Sequence, residues 1–175
     1  MKTIFMLLLG LGALRANAQS VHVKLLVQVR HEYCDSPMLS PFELEKIRAP
    51  RPLPHTVLYL RKGSVNNPDT AILDEIKTDS AGRADFYLWA GTYLLVDAKK
   101  KDRRFVDSRY RLTQNPDMHS PANKACFEKW LSEPDLTITA DGSQKEMTLT
   151  LTYHIPCRDS GHPCAPYGSP IPPWD

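Results

Sequence analysis

Glycine is scarce in this 175-residue chain, eight residues against fifteen prolines, a balance that favours stiff connecting loops over a helical bundle. No Asn-x-Ser/Thr triplet occurs, so N-glycosylation has no acceptor. A Gly-x-Ser-x-Gly elbow, a His-Glu-x-x-His helix and a phosphate-cradling glycine loop are also missing. Their absence removes the motifs by which serine hydrolases, zincins and P-loop enzymes are read from sequence. Isolated Ser, His and Asp residues do not make a triad, and the expectation is a protein that is not an enzyme and needs no cofactor.

What is there begins at the N-terminus. Lys2 precedes an apolar run from Ile4 to Leu14, and Ala16-Asn17-Ala18 offers small residues at the two positions a signal peptidase reads. This predicts a signal peptide over 1–18, cleavage after Ala18 and a secreted or periplasmic chain opening at Gln19. The apolar run rises about 16 Å as a helix, about half of a bilayer core, so no membrane span is expected in the mature chain. No cysteine stands at the cleavage site, which closes the acyl-anchored route. Removal of 1–18 takes away Lys2 and Arg15 and leaves twenty basic against twenty acidic residues. A neutral protein lacks the counterion-releasing surface that nucleic-acid binding uses, so no nucleic-acid partner is expected.

Hydropathy alternation dominates the rest. Val21, Val23, Leu25, Val27 and Val29 alternate with His22, Lys24, Gln28 and Arg30, the pattern of a half-buried strand. The proline-rich stretch 31–55 reads as an insert in which Pro41 to Ile47 has room for a turn or two of helix. Further strands are predicted over Thr56–Leu60, Ile72–Thr78, around Phe86 and Leu88, and over Thr92–Ala98. Phe105–Leu112 reads as strand-like. A second insert, 114–134, contains helical spacing over Ala122–Leu131 that lines up Cys126, Phe127 and Trp130. Leu136 and Ile138, the turn Asp141-Gly142 and the alternation from Met147 to Ile155 read as the clearest hairpin of the chain. These signals predict an all-β protein, a sandwich of two sheets over 19–156, followed by a proline-rich tail over 157–175.

One segment carries more than periodicity. Lys77-Thr78-Asp79-Ser80-Ala81-Gly82-Arg83-Ala84-Asp85-Phe86, followed by Gly91-Thr92-Tyr93-Leu94-Leu95-Val96, resembles the carboxypeptidase regulatory-like, or transthyretin-like, β-sandwich family. Its members carry a Thr-Asp-x-x-Gly turn, a short aromatic strand and a Gly-Thr-Tyr strand. The resemblance implies a two-sheet Greek-key β-sandwich acting as an accessory, binding or structural module. The enzymatic branch of that fold, the hydroxyisourate hydrolases, ends in Tyr-Arg-Gly-Ser. Tyr167-Gly168-Ser169 lacks the Arg, which leaves a hydrolase as the alternative rather than the expectation.

Cys34, Cys126, Cys157 and Cys164 all lie in the exported part, and an even number there points to two disulfides in one of three connectivities. The first and last strands of such sandwiches tend to lie close together. If they run parallel, Cys34 just past the first meets Cys157 just past the last, and Cys126 takes Cys164. The local pair Cys157 to Cys164 is the competing pattern. A metal-binding alternative rests on His31/Cys34, His154/Cys157 and His162/Cys164, but the paired Cys-x-x-Cys elements of zinc sites are absent.

Two surface features are candidate ligand contacts, for a carbohydrate or a protein. The first is a basic cluster that includes Lys99, Lys100, Lys101, Arg103 and Arg104, diluted by Asp102 and otherwise a solvated loop. The second is Tyr87 and Trp89, which share the face opposite Phe86 and Leu88. Their expected role is packing under the insert helix, with stacking on a ligand as the alternative.

Overall fold

A computed structural model describes residues 20–31, 40–113 and 124–155 together with Cys164. Eight strands stand among these: β1 Val21–His31, β2 Arg51–Pro52, β3 Val57–Lys62, β4 Asp74–Lys77, β5 Arg83–Leu88, β6 Gly91–Val96, β7 Leu136–Ala140 and β8 Glu146–Ile155. Three helices join them, α1 Pro41–Arg48, α2 Arg104–Thr113 and α3 Lys124–Ser132.

The strands form two sheets, as the alternation predicts. In sheet A, β1 is central: β8 runs parallel along one edge, and β5 and β2 share the other edge antiparallel. Sheet B runs β4-β3-β6-β7, all antiparallel. The core lies between them. Val21, Val23, Leu25, Val27, Phe86, Leu88 and Leu151 from sheet A meet Leu58, Leu60, Ile76, Tyr93, Leu95 and Ile138 from sheet B. Outside β6, whose Leu94 and Val96 are buried as well, these residues sit on the apolar half of an alternating strand, as the 2-residue period places them.

The Thr-Asp-x-x-Gly turn works as its residue types suggest. Asp79 Oδ1 accepts from the N–H groups of Ala81 and Arg83, both at 2.8 Å, closing the turn into β5. Gly82 sits at φ +72°, and a Cβ there would stand 2.6 Å from the Val27 carbonyl oxygen and 2.9 Å from the Leu53 nitrogen. Val27 N–H donates to the Gly82 carbonyl at 2.7 Å, so the turn docks directly on the middle of β1. Only glycine meets both the dihedral and the space.

The structure corrects several expectations. The segment 136–155 is not a hairpin: β7 pairs with β6 in sheet B and β8 with β1 in sheet A. The Asp141 turn is a corner between sheets, and the ten-residue parallel register with β1 outweighs a five-residue partner. Phe105–Leu112 is helical rather than strand-like. Asp102 accepts from Arg104 N–H at 2.9 Å at the start of α2, and Val106 buries against Phe127 and Leu131 of α3. Within the 31–55 insert, α1 is present with a Ser40/Glu43 capping box, and β2 adds a short strand that the prolines had masked.

Cys126 and Cys164 are bonded, with Cα atoms 5.9 Å apart, as the preferred connectivity requires. The other half, Cys34 to Cys157, lies outside the described residues. Its premise is met: β1 and β8 are adjacent and parallel, with His31 opposite Ile155 at their ends.

Candidate functional site

The two sheets differ in what covers their outer faces. In β6, Leu94 and Val96 point away from the core side of Tyr93 and Leu95, yet both are fully buried. The helical insert seals this face through a polar hub. Arg61 of β3, 2 % exposed, donates to Asn66 Oδ1 and to the carbonyls of Pro68 and Lys101. Asn66 in turn donates to the carbonyls of Lys100 and, on α3, Leu131. Burial lowers the Arg61 pKa, an effect the charges of Asp102 and Asp69 oppose. Among the described residues its Nε alone is a buried side-chain polar atom without a partner.

Part of the predicted basic cluster takes part in this sealing. Lys100 is buried, with Nζ 2.8 Å from Asp135 Oδ1, and lies over the Trp130 ring at 5.0 Å. Lys101 sits 4.2 Å from the Tyr59 ring centre and near Glu75. Arg103 pairs with Glu128, and Arg104 with Asp102 at 2.7 Å. Lys99 lies 5.7 Å from the Phe105 ring centre. Each of these cations therefore has a local anion or ring, with Lys100 withdrawn from water and Lys99 and Arg104 left exposed.

On the outer face of sheet A, Lys24, Asp85, Tyr87, Thr148 and Thr150 are exposed. Tyr87 is 69 % exposed and Trp89 59 %, so the expected packing under the insert helix is not found. Phe105 and Trp130 supply the aromatic contact to the insert instead, with ring centres 5.7 Å apart. The register sets Tyr87, His22 and Glu146 side by side across β5, β1 and β8. The His22 ring stacks on Tyr87 at 4.9 Å. Its Nε2 lies 3.1 Å from Asp85 Oδ1 and its Nδ1 3.5 Å from Glu146 Oε2. Lys24 donates to Glu146 at 2.9 Å, which raises the lysine pKa and lowers that of the carboxyl. Gln28 donates to Thr152 at 2.8 Å farther along the same face.

This arrangement sets the exposed Tyr87 ring among fixed donors and acceptors, with the exposed Trp89 just past the end of β5. It can stack on a ring and hydrogen-bond around it. Both imidazole nitrogens of His22 lie within ion-pair distance of carboxylates, which fixes the ring on this face. The structure thus parts the two predicted surfaces: Tyr87 stands on β5 of sheet A with Trp89 just past its end, whereas residues 99–104 follow β6 of sheet B. Sequence reading passed over His22, Lys24, Asp85 and Glu146 as site residues. Their alternation was visible, but the register that brings three strands into one row was not.

Among the described residues, no group of three or more His, Cys, Asp or Glu side chains has a metal-holding arrangement, and no helix is long and apolar enough to cross a membrane. A groove of about 560 Å³ beside α1, lined by Arg30, Leu44, Glu45 and Arg48 among others, is widely open to solvent.

No family model matches the chain. No curated protein matches it either. Among solved structures it is similar to the minor pilin GBS52 of the gram-positive pathogen Streptococcus agalactiae, at 15 % identity and a TM-score of 0.38. The match covers 78 % of this chain but only 44 % of the pilin, so the chain spans less than half of that protein's length. The two-sheet architecture stands on its own strand pairings.

Proposed function

We propose that this is an exported accessory module that binds carbohydrate on the outer face of sheet A. The observation that carries the reading is the asymmetry of the sandwich. An insert packs on one outer face, while the other displays Tyr87 stacked on His22 beside Lys24, Asp85 and Glu146, with the exposed Trp89 following β5. Sugar rings offer an apolar face to an aromatic plane and hydroxyls to the polar side chains around it. Export is supported by the N-terminal Lys2 and Ile4–Leu14 pattern and by the Cys126–Cys164 bond, since such bonds persist in oxidising compartments.

The test is affinity electrophoresis of the mature protein through gels containing neutral or acidic polysaccharides. Retardation by at least one polysaccharide, lost in Trp89→Ala and in Tyr87→Ala, is the expected result. Unretarded migration through a broad panel, or retardation that both variants keep, overturns the reading.

A further inference from the structure

Strand edges present unpaired N–H and C=O groups, and natural sheets guard them with charge, proline or shortness. Here β2 carries Pro52, the four-residue β4 carries Asp74, Glu75 and Lys77, and β5 carries Arg83 and Asp85. In contrast, β8 has ten residues, and its stretch from Met147 to Tyr153 holds no charge, proline or glycine. The uncharged β7 is half as long. Among the described residues β8 pairs with β1 alone.

The ladder tells which groups face outward. His22 N–H donates to the Lys145 carbonyl at 3.0 Å, so the odd-numbered residues of β8 direct their backbone groups at β1. Glu146, Thr148, Thr150, Thr152 and His154 therefore direct theirs away from it. On the other side-chain face, Met147, Leu149 and Tyr153 pack against the core yet stay partly exposed, as side chains do where a neighbouring strand is missing.

We propose that the missing neighbour is β8 of a second copy, paired antiparallel about a two-fold axis through Thr150. This register opposes Thr150 to the partner's Thr150, Thr148 to the partner's Thr152 and Glu146 to the partner's His154. All are the residues whose backbone groups face outward, so each meets its opposite as a hydrogen-bonded pair, about ten bonds in all. At each end a carboxylate faces an imidazole. On the core side Leu149 meets the partner's Leu151 and Met147 the partner's Tyr153, which covers the half-exposed side chains. The segment Glu-Met-Thr-Leu-Thr-Leu-Thr-Tyr-His reads with like or complementary chemistry in both directions about Thr150, which is what a two-fold interface demands. Two-fold registers centred on other residues shorten the ladder and lose the Glu146 to His154 pairing.

Sedimentation of the mature, disulfide-bonded protein should show a dimer. Thr150→Lys changes a side chain on the solvent face, so its circular dichroism should match the wild type. It sets two ammonium groups against each other on the axis and should sediment as a monomer. Thr150→Cys should oxidise to a covalent dimer, whereas Thr148→Cys, opposite the partner's Thr152, should not. A wild-type monomer at every concentration up to millimolar overturns the proposal. So does a dimer that persists in Thr150→Lys, or equal cross-linking through positions 148 and 150.

Discussion

Lys100 Nζ lies 2.8 Å from Asp135 Oδ1, with more than nine-tenths of both side chains withdrawn from water. The second Asp135 oxygen accepts from Asp97 N–H at 2.7 Å and from the Tyr153 hydroxyl of the opposite sheet at 3.3 Å. Burial and this carboxylate push the Tyr153 pKa far above its ordinary value, so the phenol stays protonated and donates. The pair joins the segment after β6 to the segment before β7, where the helical insert leaves and re-enters the sandwich.

Lys100→Met should therefore destabilise the protein by about 3–5 kcal/mol, because it strands a buried carboxylate without its counter-charge. The urea midpoint measures this. A loss below about 1 kcal/mol, the range of exposed ion pairs, would show that the site is wet.

The neighbouring Asp97 predicts a pH effect on stability. Burial, and then the charge of Asp135, raise its pKa. The folded chain thus holds this proton more tightly than the unfolded chain, so stability falls as pH rises from the ordinary carboxyl value through the raised one. Asp97→Asn keeps an acceptor for the N–H groups of Lys99 and Lys100, which Asp97 Oδ1 now serves at 2.8 and 3.0 Å. It should melt higher than the wild type at neutral pH, and the difference should close as pH drops below about 3.9. Parallel melting curves across the acid range would contradict the assignment.

Tyr87→Ala and Trp89→Ala should each change folding stability by no more than about 0.5 kcal/mol, since both side chains are mostly exposed. Chemical denaturation checks this. A loss of several kcal/mol from either would identify a packing role and remove the ground for a ligand face.

Peptide mapping without reduction should recover Cys126 joined to Cys164, as in the structure, and Cys34 joined to Cys157. The second bridge closes a loop of over a hundred residues. Cys34→Ser should accordingly cost a few kcal/mol, about 5 by loop entropy. Cys164→Ser should leave the sandwich folded and expose the tail to proteolysis. A Cys157 to Cys164 peptide would overturn the pairing.

How far the sequence could be read depended on the range of the interaction. The alternation of Val21 to Val29 and the Asp79 to Gly82 turn are local signals, and both elements stand where they were expected. Phe105 to Leu112 went wrong because its apolar residues fit either period. Contact of Val106 with Phe127 and Leu131 decided for helix. The hairpin expected at Asp141 failed for a related reason. A turn flanked by two alternating runs looks the same whether its strands pair or cross to opposite sheets.

By itself the sequence determined that the chain builds a two-sheet β-sandwich, because side-chain alternation is a property of each strand alone. It also favoured Cys126 with Cys164, as the pair left once Cys34 and Cys157 are matched at the ends of the first and last strands. Only the tertiary structure decided that Lys100 and Arg103 are spent on ion pairs, that Tyr87 and Trp89 stay exposed, and that His22, Asp85 and Glu146 meet in one row. Each of these depends on strand register and on which face an insert covers. Register and coverage are set by contacts between residues far apart in the chain, which no local pattern records.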